Sequence, residues 1–221
     1  MSAQKASEYR TTSCGSWLYR LVAFFAIPVF RIVFRLSSRG AEHLPAGGFV
    51  LCANQVSNID ALALASPVYP RALRSMGKAE MFNPLFGPVM RAIGSFPVHR
   101  DRIDRAAIET AVELARAGEG IVIFPEGTRR AKGHGKKRQA EPHLGPAFVA
   151  LLAGVPVVPS AIRGTEAITR FRPWRILYGE PIQVEAYADM NRREARRALT
   201  DRIWRDVQQL EAELHREEAR R

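Results

Sequence analysis

The sequence predicts an α/β sandwich, a sheet faced by helices, on three observations. Short apolar runs with β-branched residues recur along the chain, at Phe49-Val-Leu-Cys-Ala53, Ile121-Val-Ile-Phe124 and Val155 to Ile162, the pattern of strands buried on both faces. Stretches with helical periodicity lie between them. The 221 residues, 47% hydrophobic and 25% charged, suffice for one domain of ordinary size plus terminal elements, and the composition excludes a disordered chain.

Residues 1–15 are a polar, Ser/Thr-bearing tail. In residues 16–39 the longest uncharged run, Leu21 to Phe30, is ten residues, short of the roughly 18 a spanning helix needs. Arginines recur within and after the apolar part and no small-residue cleavage site follows, so a signal peptide fits poorly. At helical spacing Arg20, Arg31 and Arg35 fall within about 60° of one another. Trp17, Phe24, Phe25, Phe30 and Val33 cover much of the remainder. That pattern predicts an amphipathic helix in the headgroup plane of a membrane, arginines toward phosphate and aromatics toward acyl chains, bent at Pro28. A helix packed in the domain's own core has the same pattern, and both readings stand.

Residues 40–188 form the central domain. After the turn-rich Gly40 to Gly48, Phe49–Ala53 is a buried strand running into Asn54-Gln-Val-Ser-Asn-Ile-Asp60 and a helix that stops at Pro67. Leu73 to Met76 predicts a short strand, Pro84 to Ile93 a helix with proline near its first turn, and Phe96 to Val98 an extended piece. A helix from about Asp104 to Ala117 places Ile108, Ala111, Val112 and Ala115 on one face. The strand at Ile121 stops at Pro125, which cannot donate to a ladder, and Gly127 permits positive φ. Glu126, Thr128 and Arg129 therefore arrive together where a buried strand emerges, the edge at which open α/β sheets hold ligands. A lone Pro-x-Gly also ends ordinary strands. Arg129 to Arg138 is a cationic loop without acids, and His143 to Ala153 returns to helix. The prolines in Val155 to Ile162 predict an irregular or edge strand, and Ile176 to Tyr178 a further one. In residues 189–221, Leu199, Ile203, Val207, Leu210 and Leu214 mark a long amphipathic helix packing on the domain or on a partner.

The formal net charge of +11 points to an anionic partner. Cys14 and Cys52 make no C-x-x-C, and the five histidines have no ligand spacing; no disulfide framework and no metal site are expected. His99-Arg-Asp101 lacks the companion motifs of a kinase, Gly135-Lys-Lys137 lacks the frame of a phosphate-binding loop, and no G-x-S-x-G is present. The basic loop has no interleaved aromatics, so nucleic acid is not an expected partner. Anionic lipid, at about 1 kcal/mol per basic residue near the surface, suits it better.

Four motifs in fixed order make the chain similar to the lysophosphatidate and glycerol-3-phosphate acyltransferase family: Asn54-Gln-Val-Ser-Asn-Ile-Asp60, Gly94-Ser-Phe-Pro-Val-His-Arg100, Phe124-Pro-Glu-Gly-Thr-Arg129 and Val155-Pro-Val-Val-Pro159. The resemblance runs from about Gly40 to Pro181. It implies a mixed, mostly parallel sheet flanked by helices and an acyl-CoA or acyl carrier protein thioester as co-substrate, with no other cofactor. It also implies a lysophospholipid acceptor at the cytoplasmic face of a membrane, reached by a peripheral, monotopic protein. By the same resemblance Arg100 holds substrate phosphate, Glu126, Gly127, Thr128 and Arg129 bind the glycerophosphate, and Lys78, in Gly77-Lys-Ala-Glu80, reaches phosphate. The physical warrant for the arginines is bidentate guanidinium contact; a solvated role is the alternative for each.

One defining position departs from the family pattern. Where the family has a histidine that deprotonates the acceptor hydroxyl, oriented by the aspartate, this chain has Gln55 with Asp60. A carboxamide can orient a hydroxyl but cannot take its proton at neutral pH, and losing a positioned base typically costs about 10²–10⁴ in rate. Three explanations compete: a substitution that impairs a complete enzyme, an inactive relative that binds lysophospholipid at the membrane, or a replacement base. His99, His134 and His143 read as surface or phosphate-neighbouring residues rather than bases. Asp60 also has a plain structural reading, since Ser57-x-x-Asp60 resembles a capping box opening a helix.

Overall fold

In the computed structural model, which describes residues 17–99, 104–126 and 142–220, the short apolar runs become strands of one sheet. The strands are β1 (Ser37–Arg39), β2 (Phe49–Ala53), β3 (Leu73–Lys78), β4 (Ser95–Val98), β5 (Gly120–Ile123), β6 (Val157–Arg163) and β7 (Arg175–Tyr178), in the order β1-β7-β6-β2-β5-β3-β4. Strands β2 to β6 run parallel; β7 is antiparallel to β6, and β1 runs with β7. The sheet is mixed and mostly parallel, as the resemblance implied.

Helices cover both faces. They are α1 (Trp17–Pro28), α2 (Asp60–Ala65), α3 (Gly87–Ala92), α4 (Arg105–Arg116), α5 (Gly145–Ala153) and α6 (Arg192–Ala219). Because side chains alternate along a strand, Val50, Cys52, Ile121, Ile123 and Val157 face one layer, with Ala111, Leu114, Ala147, Leu199, Ile203 and Val207 of α4, α5 and α6. Phe49, Leu51, Val122, Val158 and Ile176 face the other, with Ala63 and Leu64 of α2 and Phe30, Phe34 and Trp174. The long C-terminal helix thus packs on the domain itself. Asn191 caps it, accepting from the backbone N–H groups of Arg193 and Glu194. Asp104 caps α4 through the Ala107 N–H.

The prolines of β6 do not make it an edge strand; it lies between β7 and β2, with every residue from Val157 to Ile162 buried. Pro159 is tolerated because it sits beside Gly179, one residue past the end of β7, and accepts that N–H at 2.8 Å. The missing donor falls where the pairing with β7 runs out.

The N-terminal segment divides between its two readings. Helix α1 ends at Pro28, a single π turn covers Val29–Val33, and Ser37–Arg39, expected within the helical segment, forms β1 beside β7. Phe30, expected among acyl chains, is instead buried with Phe34 against Trp174, ring centroids 4.9 and 4.2 Å away. Arg35 has left the helix, with φ at 45°, and donates to the Phe171 carbonyl. Trp17, Phe24, Phe25 and Ile32 remain 74, 71, 62 and 76% exposed. Phe30 and Phe34 join the core, while Trp17, Phe24 and Phe25 present aromatic rings to the outside. No described helix is long and apolar enough to cross a membrane.

Candidate active site

Five parallel strands bring their C-terminal ends to one edge of the sheet. Gln55 and Asp60 follow β2, Glu126 follows β5, Lys78 closes β3, His99 follows β4 and Thr165 follows β6. Cys52 pairs with Ile123, so Gln55 and Glu126 each lie three residues beyond the same rung. Both are buried, at 7 and 4% exposure. Lys78 and His99 are exposed, and the His99 backbone N–H donates to Asp104. His143 is exposed, and its backbone N–H donates to the Pro125 carbonyl at 2.8 Å. The expectations for Arg100, Gly127, Thr128, Arg129 and His134 fall outside the described residues.

The Asp60 carboxylate is fully enclosed and takes three hydrogen bonds. Its Oδ2 accepts from the Val56 and Ser57 N–H groups at 2.8 and 2.7 Å, and its Oδ1 from the Thr165 hydroxyl at 2.6 Å. Burial pushes the carboxyl above its ordinary range, against the pull of the Thr165, Ser57 and Val56 donors; the Glu166 charge adds to the rise. The capping box forms only in half. Asp60 reaches back to the Ser57 N–H, but Ile59 is the N-cap of α2 and no side chain caps the helix.

Gln55 lies between two tethers, one to β6 and one to the turn just past it. On one side Asn54 grips Ile162 with both ends of its amide: Nδ2 donates to the Ile162 carbonyl at 2.9 Å, and Oδ1 accepts its N–H at 2.8 Å. On the other side is the Asp60–Thr165 bond. Among the described residues the Gln55 carboxamide hydrogen-bonds to nothing, and Asp60 does not orient it directly. Its amide remains available to a substrate hydroxyl, as donor or acceptor. Among the described residues no group of three His, Cys, Asp or Glu side chains is placed to hold a metal ion.

Sequence reasoning missed Asn54 and Thr165. Asn54 opens the candidate motif, but nothing near it marks a bidentate grip on a backbone 108 residues away. Thr165 offers only one local sign, the preceding Gly164. That glycine has φ of 95°, and a Cβ there would come 2.3 Å from the Pro173 carbonyl oxygen.

Comparison with known proteins bears on this edge. A family model described as acyltransferase matches residues 35–163, a span that holds Asn54 to Asp60, Lys78, Arg100 and Glu126 to Arg129. The 1-acyl-sn-glycerol-3-phosphate acyltransferase of Bacillus subtilis is 29% identical over 178 residues, 78% of this chain and 86% of that one. The chloroplastic 1-acyl-sn-glycerol-3-phosphate acyltransferase LPAT1 of Arabidopsis thaliana is 28% identical over 181 residues, 76% of this chain and 49% of its own length. The crystal structure of the 1-acyl-sn-glycerophosphate acyltransferase PlsC from Thermotoga maritima superposes with a TM-score of 0.61 at 22% identity, covering 87% of this chain and 79% of that one. That likeness is one of fold.

Proposed function

The chain belongs to the acyltransferase family, and on that premise we propose that it moves a fatty acyl group from a thioester donor to the free hydroxyl of lysophosphatidate, a step of phospholipid synthesis. The observation that carries this reading is the edge shared by Gln55, buried Asp60 and buried Glu126, where the parallel strands end. The relatives compared above are named for this activity, and a non-catalytic lipid binder gains no support from them.

In the proposed step the acceptor oxygen attacks the thioester carbonyl carbon. The tetrahedral oxyanion collapses, the C–S bond breaks, and the thiol leaves. Gln55 orients the hydroxyl through a hydrogen bond. Because its amide cannot accept the proton, that proton passes to water or to the departing thiolate. Asp60 keeps the Gln55 loop in place through the Val56 and Ser57 amides. Arg100 and Arg129 follow β4 and β5 in sequence and are assigned to the acceptor phosphate, with Glu126, Gly127 and Thr128 on its glycerol; Lys78 adds a cation at the same edge. Acyl-CoA or acyl carrier protein supplies the thioester.

The acceptor's tail is proposed to stay in a membrane. The exposed Trp17, Phe24 and Phe25 of α1 are supplemented by α3, which packs beside α1 and with the turn before it exposes Leu85, Phe86 and Val89. Contiguous apolar surface of this kind marks an interaction face, and the exposed Arg20, Arg31 and Arg91 suit anionic headgroups at a cytoplasmic leaflet. Thiol release from acyl-CoA, measured with and without lysophosphatidate in anionic vesicles, tests the reading. Acceptor-dependent release with formation of phosphatidate supports it. No release above the protein-free rate refutes it.

A further inference from the structure

We infer that Thr165 is a positioning residue of the acyl-transfer site, whose hydroxyl holds the Asp60 carboxylate and, through it, the loop that aims Gln55. The inference rests on the acyl-transfer reading for its kinetic part and on the geometry alone for the rest. Thr165 is 1% exposed and Asp60 is 0% exposed, so water takes no part in their 2.6 Å bond. A buried carboxylate is costly to keep charged without donors. Of the three donors here, two are backbone amides of the loop itself. Among the described residues, Thr165 alone ties that carboxylate to a distant part of the chain, the turn that follows β6.

Its placement is built rather than incidental. Strand β6 ends at Arg163, and Gly164 at φ 95° turns the chain. The Glu166 carboxylate accepts the Gly164 N–H at 2.8 Å, which fixes the turn that presents Thr165. Together with the Asn54–Ile162 grip, the bond ties the two ends of the segment from 54 to 60 to β6 and to the turn just past its end. Without the hydroxyl, Oδ1 of Asp60 loses its donor while the like charge of Glu166 remains. The carboxyl then takes up a proton at higher pH, and a protonated Asp60 holds the two loop amides less firmly.

The test compares Thr165→Val, which keeps the shape and removes the hydroxyl, with Thr165→Ser, which restores it. The full chain is used, with folding of each variant checked by circular dichroism. We expect Thr165→Val to lower kcat about tenfold or more with KM for lysophosphatidate changed less than twofold, the cost of misplacing a group rather than losing a binding contact. The acid limb of its pH–rate profile moves to higher pH, and Thr165→Ser recovers both. In parallel, ¹³C NMR of the Asp60 carboxyl, assigned through Asp60→Asn, should titrate at higher pH in the valine variant only. An unmoved carboxyl titration overturns the inference. So does a serine variant as impaired as the valine one, or a rise in KM with kcat unchanged. If neither the chain nor its Gln55→His variant transfers acyl groups, the acyl-transfer reading fails and the positioning role falls with it. The carboxyl titration then separates that outcome from a Thr165 that never held the carboxylate.

Discussion

Replacing Gln55 with histidine should raise the rate of acyl transfer, and the structure sets both the sign and the scale. The Gln55 side chain is buried and makes no hydrogen bond among the described residues, so the substitution breaks none of theirs. An ionised carboxylate offers about four acceptor positions, and Asp60 uses three of them. One remains on Oδ1 for an imidazole N–H, which would fix the ring's tautomer with the other nitrogen toward the acceptor hydroxyl. A general base so placed is worth about 10²–10⁴ in rate, or roughly 2.7–5.4 kcal/mol of barrier at 1.36 kcal/mol per tenfold. Thiol release from acyl-CoA at saturating lysophosphatidate measures it. The gain should appear in kcat, with KM for lysophosphatidate changed by less than about threefold, because the proton moves only in the transition state. The variant's profile should also acquire an acid limb near the ordinary imidazole pKa of about 6.5. A histidine variant no faster than the parent chain would refute the assignment of position 55 to the acceptor hydroxyl.

Three further outcomes follow from the same geometry. Asn54→Leu leaves a buried N–H and a buried carbonyl of Ile162 without their partner, so urea unfolding should show a loss of about 2–4 kcal/mol; a loss under 1 kcal/mol would mean the grip is dispensable. Asp60→Asn should change the pH dependence of stability: burial holds the native carboxyl above its ordinary range, so its contribution is fully present below the unfolded value of about 3.9 and is lost as pH rises through the raised native value. The urea-midpoint difference, variant minus parent, should therefore grow as pH rises above the unfolded value of about 3.9, and a flat difference would contradict the burial. Changing Trp17, Phe24 and Phe25 together to serine should abolish flotation with anionic vesicles while leaving the unfolding midpoint nearly unchanged, since all three are more than half exposed; retained flotation would place the membrane contact elsewhere.

How far the sequence reaches depends on how local each signal is. Phe49–Ala53 and Gly120–Ile123 were legible because strands buried on both faces must be apolar at every position. The steps from Leu199 to Leu214 showed the buried stripe of α6 for the same reason. The interior place of β6 was not legible, since it depends on where β7 stops pairing beside Pro159. Phe30 was misassigned because its burial depends on Trp174, and a helical wheel cannot foresee that contact. In the site, Gln55 and Asp60 could be found from spacing within one motif. Thr165 acts on Asp60 from 105 residues away, and a lone threonine after a glycine carries no mark of that.

These nonlocal contacts also decide how position 55 should be interpreted. The segment around it is tied at both ends, Asn54 to β6 through the Ile162 backbone and Asp60 to the turn after β6 through the Thr165 hydroxyl. The loop backbone is further bound to the Asp60 carboxylate at Val56 and Ser57. Among the described residues, the hydrogen bonds that hold this segment do not involve the side chain of residue 55. Substitutions at 55 should move the chemistry with little effect on stability, while substitutions at 54, 60 or 165 should move both. A kinetic effect at 55 with an unchanged unfolding midpoint reports on the transfer step itself.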